Sequence, residues 1–526
     1  MIRYGFVLFV FVVAPGANAQ QNVKQLPPVE NGYTGDWLIQ PVKIKAAIYT
    51  SADKKNIYLS NGLLQRVFRI TPDVACVDYQ NLSNNQQLLR AVKAEARLTI
   101  NGKDYNVGGL YGQKENAYLL PEWIDQFKTS DSSFHFVSYE ISNIRPYLNW
   151  KTTMWASNRQ QPTGKMIAFK YESALDALKG IDVTVNYELF DGIPLICKSL
   201  TIKNNGVPIK LNRVVNEILG MVEEESAVVG RPEQMKKPAG IYVETNYAFN
   251  NAMRYDISDQ TLHWNTDPSY TSQVNYDYQT PCLLEVYPSK APGIELQAGE
   301  VFHSVRTYEL LMDSYDRERR GMALRKMYRA IAPWTTANPI FMHLVSRNDE
   351  QVRTAIDQCA ATGYEALILS FGSHCNMEDT SADNTRKWKE LADYAHSKKI
   401  YIGSYSLFSS RKISPDHDVI DPKTGRPGGA FFGNAPCLAS RWGLGYLDKL
   451  KIFMKQTGFD IFENDGPYPG DVCGSTTHPG HKGVDDSQWR QMELQKSLYH
   501  WCNENGIYVN APDWYFLDGT NKIGIG

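Results

Sequence analysis

The chain has 526 residues, with 55 basic and 57 acidic side chains, a formal net charge of -2, 43% hydrophobic and 21% charged residues. This balance excludes a disordered chain, and near-neutral charge excludes a surface dedicated to nucleic acid, which carries a basic excess. At roughly 150 residues per domain the length implies two to four domains.

Arg3 opens a short positive region, residues 5–14 are apolar, and Ala17-Asn18-Ala19 has the small-x-small form of a cleavage site. Residues 1–19 therefore read as a secretory signal peptide, with a mature chain beginning near Gln20 that is periplasmic or extracellular. The apolar stretch is shorter than the roughly 20 residues a membrane span needs, and no later segment qualifies. No Cys follows the small residues, so a lipid anchor is not expected there.

Residues 30–312 read as a β-sandwich domain. Ala96, Leu98 and Ile100 alternate with polar residues up to Asn101-Gly102, and Tyr105 and Val107 resume the alternation. Both turn residues tolerate positive φ, so this is a hairpin signal. Val183, Val185, Tyr187 and Leu189 form another period-2 run. Asn205-Gly206 marks a turn between Leu200–Ile202 and Ile209–Leu211, and Asn61-Gly62 marks one more. Many short strands with little helix imply a large sandwich. The region 313–336 reads as a helical linker: Leu324, Met327, Tyr328 and Ile331 have helical spacing, and Pro333 stops it.

From Asn338 onward, strands and helices alternate. Strands are expected at 340–345, 366–369, 400–405, 459–462 and 507–509, with helix stops at Gly363, Gly458 and Gly506. Such alternation implies a parallel sheet, and the fold class is multidomain β plus α/β: a β-supersandwich followed by a (β/α)8-type barrel over 337–526. A barrel takes about 250 residues and 189 follow Ala337, so it is expected to be incomplete, with about five of eight strands. No dinucleotide-binding or phosphate-cradling glycine motif occurs, and no cofactor is expected.

Function in such a sheet lies in the loops after the strands. Those positions hold His374 and Cys375 after strand two, Tyr405 and Arg411 after strand three, Glu463-Asn464-Asp465 and Asp471 after strand four, and Asp513-Trp514 after strand five. Alternation turns Glu463 and Asp465 to one side, where mutual repulsion raises one pKa. Sugar hydrolysis uses such carboxylates, and a salt-bridged or capping cluster is the competing reading. His374, His478 and His481 read as loop histidines. Trp442 reads as core or as a sugar platform, and Arg411-Lys412 as a solvated pair. Asp416, Asp418 and Asp421 lack the spacing of a calcium loop. Of the eight cysteines most read as buried small hydrophobes, while Cys375, Cys437 and Cys473 fall in loops where one pair could bridge. No C-x-x-C or H-E-x-x-H spacing occurs, so no metal site is expected.

Three stretches carry a family resemblance. Residues 392–406, Ala-Asp-Tyr-Ala-His-Ser-Lys-Lys-Ile-Tyr-Ile-Gly-Ser-Tyr-Ser, are similar to a helix running into strand three of the α-galactosidase/melibiase clan of retaining glycoside hydrolases. Residues 458–465, Gly-Phe-Asp-Ile-Phe-Glu-Asn-Asp, resemble in register that clan's strand four, which closes on Lys-x-Asp. Residues 437–455 resemble the helix before it. The resemblance implies a secreted glycoside hydrolase that cleaves α-galactoside-like bonds by a retaining mechanism, with Asp465 as nucleophile. The strand-end residues Glu463, His374, Tyr405, Asp471 and Trp514 are expected to bind substrate, and the expected partner is an oligosaccharide or polysaccharide. The clan's Lys is Glu463 here, Gly372-Ser373-His374 stand where a paired Asp is expected, and Asp513 is the stand-in for an acid/base that follows strand six in the clan. A non-catalytic glycan-binding protein and a glycosyl-transferring relative are the competing functions.

Overall fold

A computed structural model describes residues 23–25, 33–151, 161–225, 228–247, 261–270, 275–335, 339–467, 470–511 and 515–521. The expected signal peptide, Asp513 and Trp514 lie outside the described residues.

Between residues 24 and 311 the described strands form one six-stranded, one seven-stranded and two four-stranded sheets. The hairpin of Ala96–Ile100 and Lys103–Val107 closes through Asn101 (φ 50°) and Gly102 (φ 77°), with Ile100 opposite Lys103. Two consecutive positive φ values match the right-handed twist of the strands they join. The turn at Asn205-Gly206 joins different sheets. Leu195–Asn204 pairs with Ile181–Phe190 and Thr307–Leu311, whereas Ile209–Val215 pairs with Ala96–Ile100 and Pro292–Leu296. Asn204 directs that crossing: its side-chain amide donates to Val207 O and Leu296 O, and its Oδ1 accepts from Gly206 N–H.

The inner faces bury Ile57, Leu59, Phe68, Phe169, Val183, Val185 and Tyr187 completely. Set among them is a charged group. Arg66 lies 3.1 Å from Glu217 and 3.0 Å from Glu309, and Lys198 lies 2.7 Å from Glu217. Tyr187 donates its hydroxyl to Glu95.

Helix α1 (Arg317–Ile331), capped by Asp316, leads from this region to a parallel sheet. Its strands are β1 (Phe341–Leu344), β2 (Ala366–Leu369), β3 (Tyr401–Leu407), β4 (Ile461–Asp465) and β5 (Tyr508–Asn510), in that spatial order. The intervening helices are α2 (Asp349–Thr362), α3 (Ala382–Ser397), α4 (Arg441–Thr457) and α5 (Val484–Glu504). Asn348, Ser381 and Ser440 cap α2, α3 and α4, and Gly363 and Gly458 end α2 and α4 in the left-handed conformation. Each choice satisfies backbone groups that a helix end leaves unpaired. Leu367, Leu369, Ile402, Phe462 and Val509 pack with helical residues such as Trp388, Leu391, Leu450 and Phe453. The other face carries Ala366, Ile368, Ile461 and Tyr508, with Phe341 and Tyr401 against them.

The expected incomplete barrel stands here as an open five-stranded parallel sheet. Among the described residues β1 and β5 are its two edges and do not pair with each other. Five strands cannot close the circle that eight close. Strand four is also displaced from the expected 459–462: the register continues through Ser404↔Phe462 and Tyr405↔Glu463 to Leu407↔Asp465. Buried Asn464 holds the extension in place, donating to Ser406 O at 3.2 Å and accepting from Tyr499 OH at 2.8 Å.

Helix α5 joins the two regions. Trp489 stacks on Tyr247 with ring centroids 6.2 Å apart and packs on Phe302, and Lys210 pairs with Asp485 at 2.5 Å. No helix among the described residues is long and apolar enough to cross a membrane.

Candidate active site

Glu463 and Asp465 are residues of β4 itself, two apart and therefore on one side of the strand. The same side of β1, β3 and β5 supplies His343, Tyr405 and Asn510, because Tyr405 and Asn510 both stand opposite Glu463 in the register. The carboxylate of Asp465 accepts from the Tyr405 hydroxyl at 2.5 Å. Burial raises the Asp465 carboxyl above the usual range, against the Tyr405 hydrogen bond, which lowers it. Burial also pushes Glu463 up to about 7. Asn510 donates to it and opposes the shift, while the charge of Asp465 adds to it. His343 Nε2 lies 3.3 Å from Glu463 Oε2, an atom that meets no partner in hydrogen-bond geometry. Burial lowers the His343 pKa, which favours a neutral ring there. The mouth of β4 thus holds two carboxyls that burial raises side by side. Phe371, 63% exposed at the end of β2, sets its ring against Tyr405 at 5.5 Å and offers an open aromatic face.

The other expected residues are placed differently. Both ring nitrogens of His374 are engaged, Nδ1 with Ser346 Oγ and Nε2 with Asp349, each at 2.9 Å, and its ring packs on Trp388. It ties the loop after β1 to the start of α2. Asp471 accepts from Phe431 N–H at 2.7 Å, and burial pushes its carboxyl up to about 6. With Tyr247, Asp421, Phe431 and Gln488 it lines a cleft of about 520 Å³ that both regions of the molecule enclose. Arg411 is not a solvated residue: it pairs with Glu378 at 2.5 Å and lies over the Trp442 ring, which packs on Phe408 and Tyr446. Asp418 and Asp421 accept from backbone N–H groups of their own loop.

Two readings are corrected. His478 and His481 are each only 5% exposed and are not surface-loop residues. With Cys437 and Cys473 they bring four ligand atoms within 4.8 Å of one another, although no metal-site spacing was expected. All eight cysteines are free. Sequence reasoning also missed His343, Phe371 and Asn510. His343 and Asn510 meet Glu463 only through strand order and register, which no local sequence signal carries.

No protein-family model and no curated protein matches the chain. Solved structures do. A GH36 alpha-galactosidase AgaA variant from Geobacillus stearothermophilus, in complex with stachyose, superposes with a TM-score of 0.54 at 13% identity, over 89% of this chain and 75% of that one. The fold is similar to that of the α-galactosidases. The galactosidase domain of the alpha-galactosidase-sucrose kinase AgaSK gives 0.53 at 11% identity, covering 90% and 74%. The alpha-galactosidase from Lactobacillus brevis gives 0.52 at 10%, covering 88% and 70%. Another AgaA variant of this fold was solved in complex with raffinose.

Proposed function

We propose that this chain is an exported glycoside hydrolase that cleaves α-galactoside-like bonds in oligo- or polysaccharides with retention of configuration. The observation that carries the reading is the pair Glu463 and Asp465 at the C-terminal end of β4, on one face and both raised by burial. In a retaining mechanism the ionised Asp465 attacks the anomeric carbon, and the bond to the leaving oxygen breaks as a second carboxyl gives that oxygen its proton. Water deprotonated by the same second carboxyl then displaces Asp465 and releases the sugar. Tyr405 holds Asp465 in its attacking orientation. We assign the second carboxyl to Asp513, and substrate hydroxyls to Glu463, Asp471 and Trp514. His374 serves as a positioning residue for the loop after β1.

The test is hydrolysis of a nitrophenyl α-galactoside and of raffinose by the wild type and by Asp465→Asn. The variant is expected to lose on the order of 10⁴-fold in kcat with an unchanged melting temperature, and unchanged turnover would refute the assignment. A second reading, a non-catalytic glycan binder, is favoured by Glu463 in place of the clan's Lys. Wild-type protein that binds raffinose or stachyose yet never releases sugar would establish it. Transfer products at high acceptor concentration would mark a glycosyl-transferring enzyme instead.

A further inference from the structure

The loops after β3 and β4, residues 408–440 and 466–483, meet at a buried cluster well described by its own chemistry. Cys437 and Cys473 are fully buried, and His478 and His481 are each 5% exposed. One ligand atom from each lies within 4.8 Å of the other three. A tetrahedral site with metal–sulfur bonds of about 2.3 Å and metal–nitrogen bonds of about 2.0–2.1 Å spaces its ligand atoms about 3.3–3.8 Å apart, so small side-chain shifts bring the four into range.

The hydrogen bonds decide which atoms face inward. His478 Nε2 lies 3.1 Å from Asp416 O. A carbonyl accepts and never donates, so Nε2 carries the proton. Nδ1 is then the nitrogen free to act as a ligand, and it faces Cys473 Sγ, 3.5 Å away. A ligating histidine whose other nitrogen donates to a backbone carbonyl is the usual arrangement around a metal. Ile420 N–H points at Cys473 Sγ from 3.4 Å. His481 is buried with neither ring nitrogen meeting a partner in hydrogen-bond geometry. An unpaired buried imidazole costs about 1–3 kcal/mol, and a metal removes that cost.

The backbone is shaped to the same end. Gly480, between the two histidines, donates its N–H to Ala439 O at 2.9 Å, and a Cβ there would sit 2.8 Å from that oxygen. Cys437 N–H donates to His417 O, and Cys473 N–H donates to Ser487 Oγ. Apolar Val419, Ala430, Ala435 and Ala439 close the surroundings.

We propose that Cys437, Cys473, His478 and His481 form a structural zinc site that clips the loops after β3 and β4 together. Two thiolates and two imidazoles in a tetrahedral set select Zn²⁺ among common divalent ions, and four protein ligands leave no open position for catalysis. The ligand order is Cys-x35-Cys-x4-His-x2-His, a spacing spread over two loops. The site lies in the loop that continues from Asp465 and also carries Asp471, so metal loss is expected to loosen the ground around the candidate active site.

The test uses the full chain, purified without chelator under reducing conditions. Elemental analysis is expected to find about one zinc per chain. Cys473→Ser and His481→Gln should retain less than about a tenth of it, while Cys375→Ser keeps it. Cobalt added to chelator-stripped wild type should give the intense visible bands and thiolate charge transfer of a tetrahedral site, which needs no variant to fold. Chelation should lower the melting temperature, and zinc should restore it. A wild type that takes up neither zinc nor cobalt overturns the proposal. So does iron in place of zinc, or a Cys437–Cys473 disulfide found by peptide mass spectrometry. None of these readouts depends on the hydrolase reading.

Discussion

Inside the β-region, Glu217 and Glu309 are sealed from water beside Arg66 and Lys198, while at the C-terminal edge of the parallel sheet, where β4 ends, Glu463 and Asp465 are only partly buried. Both places perturb carboxyl groups strongly. Between the sealed pair, burial pushes Glu309 up to about 8, whereas Arg66 and Lys198 overcome burial and hold Glu217 down at about 2. The cations answer the charge, and no reactant reaches it. At the sheet edge, among the described residues, no lysine or arginine pairs with either acid, and the neighbours are Tyr405, Asn510 and a histidine favoured neutral by burial. A shifted pKa alone therefore does not mark a site. A shifted pKa that is left uncompensated and within reach of solvent does.

Three perturbations would break or sharpen that contrast. The largest is expected from Arg66→Met, which leaves the buried carboxyls of Glu217, Glu309 and Glu95 with Lys198 as the cation beside them. It should cost about 3–5 kcal/mol, read as a lower denaturant midpoint, while turnover per folded molecule stays unchanged. Reduced turnover at full stability would show that the sealed group communicates with the sheet edge. Next is Glu463→Gln. The folded-state value of about 7 lies above the ordinary glutamate value of 4.5, so the folded protein keeps a proton that the unfolded chain releases between those values. The stability this contributes is present below about pH 4.5 and is lost as pH rises through about 7. The variant should be more stable than wild type by on the order of 2 kcal/mol near pH 9 and little different near pH 4. Melting temperatures that differ equally at both pH values would contradict the shift. The smallest is Tyr405→Phe. Loss of the hydrogen bond that lowers Asp465 should move the acid limb of kcat/KM upward by less than about one pH unit, worth about 1 kcal/mol. An unmoved limb would separate Tyr405 from the nucleophile.

What the sequence made legible was local. Asn101-Gly102, Gly363 and Gly458 punctuate the chain where only certain residues adopt left-handed backbone, and the elements they bound stand where their spacing puts them. The parity of Glu463 and Asp465 was readable for the same reason. The partners of Glu463 were not, because His343 and Asn510 reach it through strand order, and register is a tertiary property. The Cys437–His481 cluster escaped because metal-site spacing rules describe ligands on one compact turn, whereas these four converge from two long loops. Alternation of strand and helix made the five units countable, but it does not show whether they form part of a circle.

Gly293 has a φ of 58°, and a Cβ on it would stand 2.3 Å from the Asp485 carbonyl at the start of α5. The strand edge and the helix therefore touch backbone to backbone, like two machined faces with no gasket between them. Any larger residue at this point would act as a wedge, prying Trp489 off Tyr247 and widening the cleft that Tyr247 and Asp471 share. The β-region is accordingly not an appendage that an engineer can trim or exchange. It is one jaw of the groove, and its fit against the other jaw is set at a single atom's tolerance.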